Sequence, residues 1–115
     1  MECREDLLEE ARELVTTALK SYMLSNCRRT VSMATLTGQK RIRMEFHGLF
    51  KHYTPSENFP RFMDVLSYVL TCVGLDEVKR LLRAQNVVLD EAYAVYSYEE
   101  YAKLCHEVYE ETSAS

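Results

Sequence analysis

Residues 41–47 read RIRMEFH, and their alternation of polar and apolar side chains decides the fold class. Every second position is apolar, which is the side-chain period of a β-strand with one buried face. The stretch upstream, 30–36, is rich in β-branched residues, and 37–40 contains a glycine that suits a turn. The sequence therefore predicts a β-hairpin over residues 30–47.

Before this hairpin the apolar period is that of a helix. Apolar side chains at spacings of three and four predict a first helix from about residue 4 to about residue 24. Acidic residues crowd its first turns, where the helix dipole favours negative charge. After the hairpin, a capping-box pattern at 54–57 predicts a helix start, and a main helix follows over 60–73 with Gly74 as its stop.

The remaining third of the chain predicts two more helices. The first covers 75–85, and the second begins at an S-x-x-E capping box, 97–100. Residues 86–97 fit a strand, a loop or a lead into a helix equally well, and the tail at 112–115 is expected to fray. The predicted fold is a single domain over 1–115, mainly α (α+β), with an inserted β-hairpin and the order α-β-β-α-α-α.

Four cysteines, Cys3, Cys27, Cys72 and Cys105, lie far apart and form no CxxC pair. The acidic start of the chain is the opposite of a signal peptide, and no apolar stretch approaches the ~20 residues that span a bilayer. These patterns predict reduced, mostly buried thiols. They also predict an intracellular protein, cytoplasmic or nuclear, without a membrane partner.

Motifs for chemistry are missing from the sequence. The cysteines and the three histidines, His47, His52 and His106, have no zinc-ligand spacing, and the glycines are too far apart for a phosphate loop. We therefore expect no enzyme activity, no cofactor, no metal and no small-molecule substrate.

The first functional hypothesis is a non-catalytic protein interaction or assembly domain, acting as an adaptor, regulatory or accessory protein and self-associating as a homodimer. The helix over 60–73 is apolar around most of its girth, and five of the eight tyrosines lie in the last 23 residues. Tyrosine combines a large ring with a polar tip, which suits partner surfaces. The candidate interface consists of Val65, Tyr68, Cys72, Tyr93, Tyr96, Tyr101 and Leu104.

The alternative is RNA or DNA binding through the basic segment of the predicted hairpin. Residues 28–53 hold six basic residues and one acidic residue, whereas the whole chain has a net charge of −4. The candidate phosphate or acidic-partner contacts are Arg28, Arg29, Lys40, Arg41 and Arg43. The low isoelectric point of about 5.4 opposes a dedicated nucleic-acid module, so a solvated face is the competing interpretation.

Overall fold

One long helix, α1 (Glu5–Thr37), forms the spine of the protein in a computed structural model that describes residues 2–114, with side chains to Ser113. Its 33 residues correspond to about 50 Å at 1.5 Å per residue. That length matches the longest dimension of the molecule, 47 Å. One stripe of α1 is buried: Leu8, Ala11, Val15, Ala18, Leu19, Met23, Cys27 and Ala34.

The rest of the described chain folds onto this spine. Its elements are β1 (Arg41–Glu45), α2 (Phe46–Phe50), α3 (Phe62–Cys72), α4 (Leu75–Leu82), β2 (Asn86–Val88), β3 (Tyr93–Ser97) and α5 (Tyr98–Ala114). The helices α2, α3, α4 and α5 all contact α1. The strands form an antiparallel sheet in the order β1-β3-β2. The prediction of a mainly α, α+β domain with a small hairpin is confirmed.

The position of the predicted hairpin is wrong, because residues 30–36 continue α1. The hydroxyls of Thr30, Thr35 and Thr37 donate to carbonyls four residues earlier, at 3.1, 2.8 and 2.9 Å. This local bonding satisfies the threonine side chains inside a helix. α1 therefore ends well beyond the predicted residue 24, at Gly38, whose φ of +69° suits a left-handed helix end. The observed hairpin is β2–β3.

The strand and the next two helices predicted after residue 40 are present, although the strand has a different partner. The strand at 41–45 is present, but it pairs with β3 rather than with the residues upstream. The helices predicted at 60–73 and 75–85 appear as α3 and α4. Residues 86–97, for which the sequence allows a strand, a loop or a helix, form the β2–β3 hairpin.

Two predicted helix starts have opposite outcomes. The capping box at Ser97 is confirmed on its first half, because the Ser97 hydroxyl accepts the N–H of Glu100 at 3.2 Å. The helix start predicted at 54–57 is wrong, since that stretch is an irregular loop. The tail expected to fray is helical as far as Ala114, and Ser115 lies outside the described residues.

The prediction of reduced thiols is wrong in this structure. Cys3 is bonded to Cys72, and Cys27 to Cys105, with Cα atoms 5.6 and 5.7 Å apart. The sequence separations are 69 and 78 residues, so the pairing depends on tertiary packing. Disulfides persist in oxidising compartments and in the intracellular proteins of hyperthermophiles. The cytoplasmic or nuclear location stays a prediction.

Among residues 2–114, no helix combines the length and the apolar character needed to cross a membrane.

We expect Gly74→Ala to destabilise the fold by about 1–3 kcal/mol, because φ +128° and ψ 175° lie in a region reserved for glycine. A Cβ at this site would meet no atom within 4 Å, so backbone strain is the only penalty. Gly38→Ala is the matched control, equally free of contacts but at φ +69°, where about 1 kcal/mol is expected. Urea unfolding measures both, and a larger loss at Gly38 would contradict this assignment.

A dithiol reductant under native conditions should reduce Cys3–Cys72 before Cys27–Cys105. Cys3 is exposed and Cys72 half-buried, whereas Cys27 and Cys105 are 0% and 7% exposed. Alkylation followed by peptide mass spectrometry reports which thiols appear first. The Cys3→Ser/Cys72→Ser double variant should show no early thiols, and early alkylation of Cys27 would contradict the expected order.

Candidate nucleic-acid interface

α3 and α4 are two packed helices joined by only two residues, Val73 and Gly74. Gly74 makes this sharp turn possible through its positive φ, and its carbonyl accepts the N–H of Val78 in the first turn of α4 at 3.5 Å. Two helices joined by a short, glycine-containing turn form an αα unit, and the helix–turn–helix is one kind of such a unit. In the DNA-binding kind the second helix enters the major groove.

α4 has one apolar face and one cationic face. Val78, Leu81 and Leu82 are buried against the rest of the molecule. Arg80 is exposed on the opposite side, and Lys79 is half-buried beside it. Arg83, the residue after the helix, is exposed and pairs with Glu107 of α5. The outer face of α4 therefore presents two cations, Lys79 and Arg80.

A network of ion pairs joins α4 to α1. Glu77 accepts hydrogen bonds from Arg80 on its own helix and from Arg12 of α1, the latter at 2.8 Å. The Glu77 side chain is only 10% exposed. Hydrogen bonds from Arg80 first and Arg12 second lower the pKa of Glu77 to about 2. The carboxylate therefore stays ionised and offsets part of the positive charge of α4.

The C-terminal end of α4 is tied to the sheet. The buried Tyr96 hydroxyl of β3 donates to the carbonyl of Leu82 at 2.8 Å. Burial raises the pKa of Tyr96 far above its ordinary value, so the hydroxyl keeps its proton and remains a donor. The β2–β3 hairpin that follows α4 carries exposed Asp90 and Glu91 at its turn. The hairpin turn is thus acidic and unsuited to phosphate.

The five basic residues predicted as a phosphate site do not form one ribbon. Arg28 and Arg29 lie on α1, where Arg28 stacks 3.8 Å above the centre of the Tyr109 ring. Arg29 donates to the side chain of Asn26 at 3.1 Å.

The other three lie at β1. Arg43 stacks on the Tyr93 ring at 3.6 Å and donates to Glu45 at 2.7 Å. Lys40 and Arg41 are exposed at the start of the strand. The segment is therefore divided between a helix and a strand, and two of its arginines are held by aromatic rings.

The candidate protein interface predicted from the sequence lies mostly inside the molecule. The buried members are Val65, Tyr68, Tyr96, Tyr101 and Leu104, each no more than 5% exposed. Cys72 is half-buried in a disulfide, and Tyr93 is half-buried beneath Arg43. Five of the seven candidates are therefore core side chains, and only Cys72 and Tyr93 remain partly accessible to a partner.

The reason is that the buried face of α3 is wider than a single stripe. Val65 and Tyr68 are buried together with Leu66 and Val69, whereas Leu70 and Val73 are 36% and 49% exposed. α3 packs against both α1 and α4, which buries more of its girth than one stripe. With Leu75, 37% exposed, Leu70 and Val73 leave an apolar corner at the helix–turn–helix.

Other parts of the described chain offer no stronger candidate for a metal or ligand site. Within the described residues, no group of three or more His, Cys, Asp and Glu side chains is placed to hold a metal ion. A cleft of about 490 Å³ beside α2 and the start of α3 has a mostly apolar lining that includes Phe50, Tyr53 and Met63. Its charged residues, Arg61 and Asp64, pair with each other, so neither is left to orient a ligand.

The sequence predicts two helices separated by Gly74, but it does not predict that their outer face is a candidate site. The cations of 28–43 are denser and give the stronger charge signal. Net charge along the chain favoured that segment, whereas the arrangement of α3 and α4 depends on packing against α1.

Comparison with family models, curated proteins and solved structures found no match to this chain. The functional argument therefore depends on the geometry and charge of the site itself.

Glu77→Gln should destabilise the protein at neutral pH, and the difference should shrink as the pH falls. The folded pKa of Glu77, about 2, lies below the unfolded value of ~4.3, so its contribution is present above pH ~4.3 and lost toward pH 2. Urea unfolding at roughly pH 7, 4 and 2.5 follows the loss of this contribution between the unfolded and the folded pKa values. Glu57→Gln, in the exposed loop, is the control, and a pH-independent difference for Glu77→Gln would contradict the network.

Proposed function

We propose that this protein binds double-stranded DNA, with α4 as the helix that enters the major groove. The observation that carries the proposal is the α3–turn–α4 unit, whose second helix buries Val78, Leu81 and Leu82 and turns its cations outward. A helix of about two turns with such a face fits a groove ~12 Å wide. This is the alternative function predicted from the sequence, moved to a different surface.

The exposed residues of the unit suit the two kinds of contact that DNA recognition needs. Arg80 and Arg83 carry guanidinium groups of the type that contacts phosphate, and each already pairs with one carboxylate, Glu77 and Glu107 respectively. The first turn of α4 exposes Leu75 and Asp76. Apolar side chains contact the thymine methyl group, and carboxylates accept from the cytosine amino group.

Negative charge elsewhere in the molecule opposes its binding to DNA. The net charge is −4, and the acidic turn at Asp90 and Glu91 repels phosphate. Affinity would therefore depend on the few cations of α4 and of the residue after it, and we expect it to be weak and salt-sensitive for arbitrary sequences. The broader hypothesis of a non-catalytic adaptor or regulatory protein is compatible with this proposal and stays a prediction.

The proposal predicts that reversing two charges on α4 weakens duplex binding. Lys79→Glu/Arg80→Glu should lower affinity at least about tenfold at low salt and reduce the magnitude of the salt slope by about 2. Fluorescence anisotropy of a labelled duplex over a salt series measures both quantities. Circular dichroism and thermal unfolding establish that the variant is folded.

Arg28→Glu/Arg29→Glu is the matched control, because it makes the same change in charge on two neighbouring exposed residues of α1. It should leave the affinity within about twofold, since these residues lie outside the helix–turn–helix. Equal losses in the two variants, or a loss in the α1 variant alone, would contradict the assignment to α4. Absence of binding by the wild-type chain at low salt would overturn the function.

A further inference from the structure

The outer edge of β1 carries backbone groups that no other part of the described chain satisfies. β1 lies at one side of the sheet, in the order β1-β3-β2. The carbonyl of Lys40 and the N–H of Phe46 bond toward the β3 side at 2.8 and 2.9 Å, on either side of the strand. Because antiparallel bonding alternates along a strand, the even-numbered residues face β3 and the odd-numbered residues face away.

Three residues therefore direct their backbone outward: Arg41, Arg43 and Glu45. Glu45 is also the residue that precedes α2, where its carbonyl takes the first bond of the helix, so only its N–H remains. Within residues 2–114, no backbone or side-chain bond from another element reaches the N–H and C=O groups of Arg41 and Arg43. Such an edge is a template for a further strand.

The side chains on this strand differ in what they already contact. Arg43 is held by the Tyr93 ring and by Glu45 within its own chain. Arg41 is exposed and has no ion-pair or hydrogen-bond partner among the described residues. The exposed face of the strand thus has an unpaired cation at one end and a carboxylate at the other.

We propose that β1 pairs with β1 of a second copy of this chain, antiparallel, about a two-fold axis at Arg43. In this register Arg41 lies opposite the partner's Glu45, and Glu45 lies opposite the partner's Arg41. The outward-facing backbone groups belong to the odd-numbered residues in both copies. Arg43 therefore exchanges two hydrogen bonds with the partner's Arg43. Each Glu45 N–H donates to the carbonyl of the Arg41 across from it, and the two three-stranded sheets join into one.

Charge complementarity is the reason to choose a second copy as the occupant. The strand carries opposite charges at positions related by the two-fold axis, so it is complementary to itself. The two central arginines are like charges at close range, which opposes pairing. Each of them, however, is already drawn onto its own Tyr93 ring and Glu45 carboxylate.

Charge reversal tests the proposal through a pair of variants. Arg41→Glu places two carboxylates opposite each other, and Glu45→Arg places two arginines opposite each other. Each variant alone should dimerise at least about tenfold more weakly than the wild type, because two symmetry-related pairs change from opposite to like charge. An equimolar mixture of the two should recover dimers, since both pairs between positions 41 and 45 are again of opposite charge. Sedimentation velocity over a concentration series, without nucleic acid, measures these equilibria.

Lys40→Glu is the control, because it makes the same change in charge one residue earlier, where no carboxylate lies across the axis. It should dimerise like the wild type. Thermal unfolding confirms that each variant is folded. A wild-type chain that is monomeric at every concentration overturns the proposal, as does dimerisation that Arg41→Glu does not weaken. Failure of the mixture to recover dimers overturns the proposed register. None of these outcomes bears on DNA binding by α4, which uses a different surface.

Discussion

The packing of the other four helices against the buried stripe of α1 is the constraint on which the rest of the structure depends. α1 runs the full length of the molecule, and α2, α3, α4 and α5 all contact it. The sheet is positioned indirectly, through α5 and through α4, which lead out of and into its strands. A shift of α1 would therefore move the helix–turn–helix and the sheet together.

Tyrosine hydroxyls make several of the hydrogen bonds that join different parts of the fold. Two tyrosine hydroxyls donate to backbone carbonyls of other elements, Tyr96 to Leu82 and Tyr109 to Leu24, and the Tyr53 hydroxyl donates to the carbonyl of Phe59 within the loop after α2. Tyr68 additionally accepts the N–H of Arg4 at 2.9 Å. A ring that fills space and a hydroxyl that satisfies a buried carbonyl serve a core as well as an interface. At these four positions tyrosine serves the internal packing of the chain.

How much could be predicted from the sequence differs between local and long-range features. The strand at 41–45, α3, α4 and the Ser97 cap follow from local periodicity and capping residues, and they were predicted. The helical state of residues 30–37 was missed, because β-branched residues favour strands unless their hydroxyls bond back to the helix. The pairing of β1 with β3 and both disulfides join residues that are far apart in the chain. No spacing rule reveals such contacts, and for the same reason the buried state of Val65 and Tyr68 was not foreseen.

The two disulfides interleave along the chain, since Cys27 lies inside the loop closed by Cys3 and Cys72, and Cys105 lies outside it. Every peptide bond between Cys3 and Cys105 is consequently spanned by at least one of the two cross-links. A protease that cuts once in the irregular loop after α2, or at the β2–β3 turn, would leave two fragments that remain covalently joined. The protein thus has the connectivity to survive a nick in its exposed loops as a single molecule.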